Sequence, residues 1–181
     1  MEPRIVFQEQ QALQPVTDDE RLLADHDVGY LLAYLQQQRH EAYELVERPD
    51  ERERQRAAPD YLFREKRSRR LVAIERTQLM RQDLQAEKAR LLKMGAGVIL
   101  IGPKHIDPVE EGEFLKWAIA QKVRRGQLNG IDADERILLL RNRLLATENT
   151  YLRSGIRFAA ADKQGVDHCY LIARRWLLEL W

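Results

Sequence analysis

The stretch Asp60-Tyr61-Leu62-Phe63, then Arg64-Glu65-Lys66-Arg67-Ser68-Arg69-Arg70, then Leu71-Val72-Ala73-Ile74-Glu75, decides how this chain is to be read. Two short runs rich in aromatic and β-branched residues flank a polar, basic connection, which is the pattern of a β-hairpin. Folded about the middle of the basic turn, the hairpin pairs Leu62 with Ala73 and sets Asp60 opposite Glu75. Directly opposed residues point to the same side of an antiparallel pair, with Cβ atoms roughly 5 Å apart. Tyr61, Phe63, Val72 and Ile74 then share the other side and give it an apolar face. Two carboxylates so close repel each other unless a cation lies between them or one takes a proton. Their oxygens suit a hard ion such as Mg²⁺ or Mn²⁺, which polarises a phosphate and activates water. The same residues also read as an exposed acidic pair at a sheet end, or as separate partners of nearby arginines.

Working outward, Thr17 and Glu20 form a capping box before apolar residues at Leu23, Val28, Leu31, Leu32 and Leu35, which predicts a helix to about Gln38. Glu41 to Val46 reads as a first strand or as an extension of that helix. Residues 47–58 are nearly all charged and bounded by Pro49 and Pro59, as in a solvated loop. A charged stretch from Leu79 to Lys93 reads as helical, and Gly97-Val98-Ile99-Leu100-Ile101-Gly102 reads as a strand buried on both faces. Asp107, Pro108 and Glu110 supply N-cap, first-turn proline and capping-box acid for a further helix, and Gly126 stops it. Phe114, Trp117 and Ala118 are expected on its buried face, with Lys122, Arg124 and Arg125 at its C-terminal end. Runs at 137–140 and 169–172 are β-like, and Arg175 to Trp181 is too short to assign. The order predicts an α/β fold, an α/β/α sandwich around a mixed sheet. One domain is expected over 1–181, with a core at about 17–142 and an α/β extension at about 143–181.

The 181 residues suffice to bury a core, and 44% hydrophobic content with 33% charged residues argues for a folded chain. Thirty basic and twenty-nine acidic residues leave a net charge of +1, so nucleic-acid binding must come from local patches rather than a global field. The single cysteine, Cys169, excludes an internal disulfide and a Cys-rich zinc site and fits a reducing compartment. Met1-Glu2-Pro3-Arg4 lacks the apolar core of a signal peptide and no run reaches membrane-spanning length, so a soluble, cytoplasmic protein is expected.

Pro59-Asp60, the basic hairpin and Val72-Ala73-Ile74-Glu75-Arg76-Thr77 together resemble the PD-(D/E)xK nuclease superfamily, over perhaps residues 17–142. The resemblance implies a restriction-endonuclease-like fold and divalent-metal-dependent hydrolysis of phosphodiesters in DNA or RNA, with Asp60 and Glu75 as ligands to Mg²⁺ or Mn²⁺. The motif's lysine would stand at position 77, where this chain has Thr77. Three readings compete. Arg76 is adjacent but points to the opposite face. A lysine from a neighbouring helix, Lys88 or Lys122, takes the role. Or the site binds metal or nucleic acid without cutting, in a catalytically inactive nuclease-fold protein used for binding or assembly. Some members of the superfamily resemble the Glu-x-Thr pattern. The resemblance also implies a helix acid near the metal, for which Glu20 and Glu44 are the candidates.

Arg64 to Arg70 holds five basic residues in seven positions and is a candidate backbone contact through Arg64 and Arg67, or a solvated turn that blunts edge aggregation. Arg52, Arg54 and Arg56, nearer Asp60 in sequence, are further candidate nucleic-acid contacts, or, since they alternate with Glu51 and Glu53, part of a self-screened loop. His26, His40, His105 and His168 show no metal-ligand spacing. Cys169, in an apolar run, reads as a buried thiol. The apolar C-terminus from Trp176 to Trp181 is expected to pack back onto the domain or to mediate a homodimer. An unrelated α/β interaction domain with a coincidental acidic hairpin is the third reading.

Overall fold

The computed structural model describes residues 2–8, 20–49, 58–79, 107–126, 128, 132–142 and 147–181. Strand β1 (Arg4–Gln8) is followed by helix α1 (Glu20–Arg39) and strands β2 (Tyr43–Glu47), β3 (Tyr61–Glu65) and β4 (Leu71–Leu79). Helix α2 (Pro108–Arg125), strand β5 (Glu135–Asn142), the short helix α3 (Glu148–Arg153), a 3₁₀ turn (Ala160–Lys163) and strands β6 (His168–Ala173) and β7 (Trp176–Glu179) complete the order. Among the described residues the strands form one seven-stranded mixed sheet, ordered β1-β7-β6-β5-β4-β3-β2. β4, β5 and β6 run parallel and the other neighbours are antiparallel.

Period-2 alternation sorts the strand residues onto two faces. Tyr61, Phe63, Val72, Ile74, Ile137, Leu139, Tyr170 and Ile172 pack with Val28, Leu31 and Leu35 of α1. Leu62, Ala73, Leu138, Leu140, Cys169 and Leu171 pack on the opposite face with Leu115 and Ile119 of α2 and Tyr151 of α3. The sheet is therefore covered on both sides, as the continuous apolar runs of β5 and β6 require.

The β3–β4 hairpin has the predicted register: Tyr61 opposes Ile74, Leu62 opposes Ala73 and Phe63 opposes Val72. Glu65 shapes the turn. Its carboxylate is held down to about pKa 2 by the Ser68 hydroxyl, then by the backbone N–H of Ser68 and that of Arg67 at 2.9 Å, and Arg69 closes the turn in the left-handed region at φ 64°.

Helix α2 starts and stops as its caps dictate. The Asp107 carboxylate accepts from Val109 N–H at 2.8 Å, and Gly126 ends the helix at φ 65°. Its buried face matches expectation in part: Phe114 and Ala118 pack half-buried against the core, but Glu111, Gly112, Leu115 and Ile119 are the buried residues and Trp117 is 50% exposed, stacked against Phe114. Leu115, Ile119 and Lys122 face the sheet and Gly112 faces Ser154, which carries Trp117 to the outside. Leu79, expected in a helix, is the last residue of β4. The rest of that expected helix, and the expected strand at 97–102, lie outside the described residues.

The C-terminal run, unassigned from sequence, is β7 and packs back. Leu180 and Trp181 are buried, the Trp181 ring lies 5.0 Å from Phe158, and its indole N–H donates to the Val166 carbonyl. The extension after residue 142 thus adds strands to the same sheet. No helix among the described residues is long and apolar enough to cross a membrane.

Candidate active site

Glu75 lies mid-strand on β4, on the face covered by α2, and is 2% exposed. Alternation along β4 dictates that face, since Ala73, Glu75, Thr77 and Leu79 point one way. Asp60 precedes β3 by one residue, and continuing the hairpin register sets it opposite Glu75. The Asp60 carboxylate accepts from the backbone N–H of Arg76 at 2.7 Å. Lys122, descending from the last turns of α2, places Nζ 2.8 Å from Glu75 Oε1. Asp60, Glu75 and a lysine amine are therefore brought together.

The electrostatics are those of a crowded, dry carboxylate. Burial raises the Glu75 carboxyl to about pKa 7, the Asp60 charge adds to the rise, and Lys122 with a hydrogen bond from the Asp60 backbone pulls against it. Lys122 satisfies one oxygen only. Glu75 Oε2 is buried without a hydrogen-bond partner, as is the Thr77 hydroxyl two residues along the same strand face. Buried polar atoms left unpaired are rare and costly, and here two lie at alternate positions of one strand face. Beside Glu75 and Lys122 lies a cavity of about 10 Å³, bounded by Leu128, Leu138, Gln164 and Val166, the room one water needs.

Among the described residues no third His, Cys, Asp or Glu completes a cluster with the two acids. That donor set still fits Mg²⁺, which is commonly held by one or two carboxylates with water filling the remaining positions. Glu75 Oε2, unpartnered and buried, is an oxygen of the right chemistry.

The remaining candidates separate cleanly. Arg76 points away from Glu75, as expected, and its guanidinium meets Asp27 of α1. Glu44 does not join the acids: it sits across from Arg64 near the turn end of the hairpin and pairs with Arg69 at 3.1 Å and Arg64 at 3.9 Å. Arg70 likewise engages Glu41 at 2.8 Å and Glu135 at 3.4 Å, so much of the basic turn's charge is matched by β2 and β5. Arg67 is exposed at the turn. Cys169 is fully buried, and burial pushes its thiol well up, as an inert core residue requires. His168 approaches Glu135 rather than the acidic pair. Lys88, Arg52, Arg54, Arg56 and His105 lie outside the described residues, as do Thr17 and the side chain of Glu20.

Sequence reading missed Asp27. It sits one turn before Leu31 on the apolar stripe of α1, is 3% exposed, and accepts from the Arg76 guanidinium at 2.9 Å. A carboxylate on an apolar stripe demands a buried cation, and that demand was the available signal.

No family model, no curated protein and no solved structure matches this chain.

Proposed function

We propose that this chain is a divalent-metal-dependent phosphodiesterase of the PD-(D/E)xK type acting on nucleic acid, with Lys122 in the place of the motif lysine. The observation that carries the reading is the convergence of Asp60, Glu75 and the Lys122 amine, 2.8 Å from Glu75, on one face of the hairpin. Element order supports it. A helix, a three-stranded meander and a crossover helix lead to a parallel fourth strand, and the acids stand at the head of β3 and within β4.

Asp60 and Glu75 would hold Mg²⁺ or Mn²⁺, which supplies Lewis-acid polarisation of the phosphate and a hydroxide near neutral pH. Lys122, anchored on α2, offers a positive charge to the oxygens of the phosphate in the transition state. Its migration from the strand to a facing helix leaves position 77 to Thr77, whose unpaired hydroxyl is a further hydrogen-bond donor on the same face. Leu138 and Val166 keep this pocket apolar and so strengthen each electrostatic contact.

Purified protein incubated with Mg²⁺ or Mn²⁺ and plasmid, linear and single-stranded substrates is expected to cut at least one of them. Asp60→Ala and Glu75→Ala should abolish cleavage, and Lys122→Met should reduce its rate by roughly 10²–10³-fold, the usual cost of one stabilising donor. Cleavage unchanged in the two alanine variants would sink the reading. The second reading is a non-catalytic nuclease-fold protein, favoured by the Lys122 ammonium already seated against Glu75. It predicts no calorimetric heat on adding Mn²⁺.

A further inference from the structure

On the α1 side of the sheet, behind the acidic pair, lies a second buried charge group. The Asp27 carboxylate accepts from Arg76 Nε at 3.2 Å and Nη2 at 2.9 Å through one oxygen. Its other oxygen faces Arg141 Nη1 at 3.5 Å, and that nitrogen also donates to the Arg174 carbonyl at 3.1 Å. One carboxylate on α1 thereby grips adjacent parallel strands, Arg76 on β4 and Arg141 on β5, while Arg141 ties in the β6–β7 turn. Arg76 continues the face of Val72 and Ile74, which are fully buried, and the Asp27 and Arg76 side chains are 4% and 9% exposed.

A buried ion pair is weak evidence of added stability, because desolvating two ions offsets their attraction and apolar side chains of like volume can serve a core as well. Two charge-assisted hydrogen bonds from one guanidinium onto one oxygen do fix where the Arg76 side chain lies. The Arg76 backbone has a particular task. The β3–β4 ladder ends at Tyr61 and Ile74, and beyond it the Arg76 N–H is taken at 2.7 Å by the Asp60 carboxylate. Asp60 lies in a bend, outside the ladder, so this contact orients its side chain.

We propose that Asp27 is a positioning residue for the candidate site: it fixes Arg76 through the guanidinium, and the Arg76 backbone N–H in turn holds the Asp60 carboxylate opposite Glu75. The site's geometry is then set from α1, through the thickness of the sheet, as well as from α2. The inference rests on the reading of Asp60 and Glu75 as cation ligands, and its test separates the two.

The full chain is compared with Asp27→Asn and with the double variant Asp27→Leu/Arg76→Met, which replaces the ion pair by an apolar one and guards against a single variant that fails to fold. Three quantities are read: thermal midpoint, amide hydrogen exchange at position 76, and Mn²⁺ affinity by calorimetry. The double variant should still melt cooperatively, at a midpoint lowered only by the loss of Arg141's 3.5 Å contact with Asp27. It should nonetheless exchange the position-76 amide faster and bind Mn²⁺ about 10–100-fold more weakly, the range found when outer-shell partners of metal ligands are removed. Wild-type protection at position 76 together with unchanged Mn²⁺ affinity overturns the proposal. So does a loss of protection spread evenly over β4 and β5 in step with a lowered midpoint, which is the signature of an ordinary ion pair. A wild-type chain that takes up no Mn²⁺ removes the metal reading, and amide exchange at position 76 alone then decides whether Asp27 positions Asp60.

Discussion

Glu75 is a carboxylate in a place where charge is costly, and its protonation should be visible in the stability of the whole chain. Burial and the Asp60 charge hold its folded-state carboxyl at about pKa 7, against 4.5 for the free group. Between those values the folded protein keeps a proton that the unfolded chain has released. The unfolded state binds fewer protons there, so this group's contribution to stability is full below pH 4.5 and is lost as pH rises through 7. Chemical denaturation of wild type and Glu75→Gln at pH 5 and pH 8 isolates the effect. The wild type should lose stability relative to the variant between the two, and a pH-independent difference would refute the assignment. Cation affinity should move the opposite way, rising with pH through 7, because an oxygen ligand must be ionised. The two acids were legible in sequence because register in a hairpin is fixed by its turn and by alternation, and a one-residue slip would bury the wrong face. For Asp27 the apolar stripe shows that a buried cation is needed but not which one, since Arg76 stands 49 residues away and no local pattern pairs them.

At the scale of elements, helix α2 shows where local signals stop. Its ends were readable because caps act through residues within a turn of each other, Asp107 with Val109 and Gly126 with Val123. Its rotation about its own axis was not, because several apolar stripes compete and the sheet chooses among them. That choice decided both that Lys122, one of two lysines singled out in advance, reaches Glu75 and that Trp117 faces outward. Gly112 marks the close approach to α3: a Cβ there would lie 2.8 Å from Cβ of Ser154, at the end of α3, so a side chain would have to push Ser154 aside. Gly112→Val should therefore destabilise the fold by about 1–3 kcal/mol, the usual cost of overpacking, despite valine's better helix propensity. The urea midpoint measures it, and an unchanged or raised midpoint would show that α3 yields freely.

At the scale of the whole sheet, β1 forms one edge and rests on the C-terminal strand. β1 pairs with β7, so the first and last strands are neighbours in the sheet, and Arg4 forms an ion pair with Glu179. In the one domain expected over 1–181, the extension after residue 142 supplies β6 and β7, which continue the sheet directly from β5. Leu171, Leu178, Leu180 and Trp181 join the same cluster as Leu115, Leu138 and Ala73 on the site's own face. Without residues 147–181, β5 would become an edge with both faces apolar, and the loop that walls the cavity beside Glu75 with Gln164 and Val166 would be gone. A chain ended at residue 146 is accordingly expected to lose cooperative unfolding by circular dichroism and to aggregate. A soluble truncated chain melting near the full-length midpoint would instead establish an independent core. The milder test is Trp181→Ala. It should cost about 3–5 kcal/mol as a large-to-small core substitution, and it should leave the oligomeric state by size-exclusion unchanged, because Trp181 is buried within its own chain.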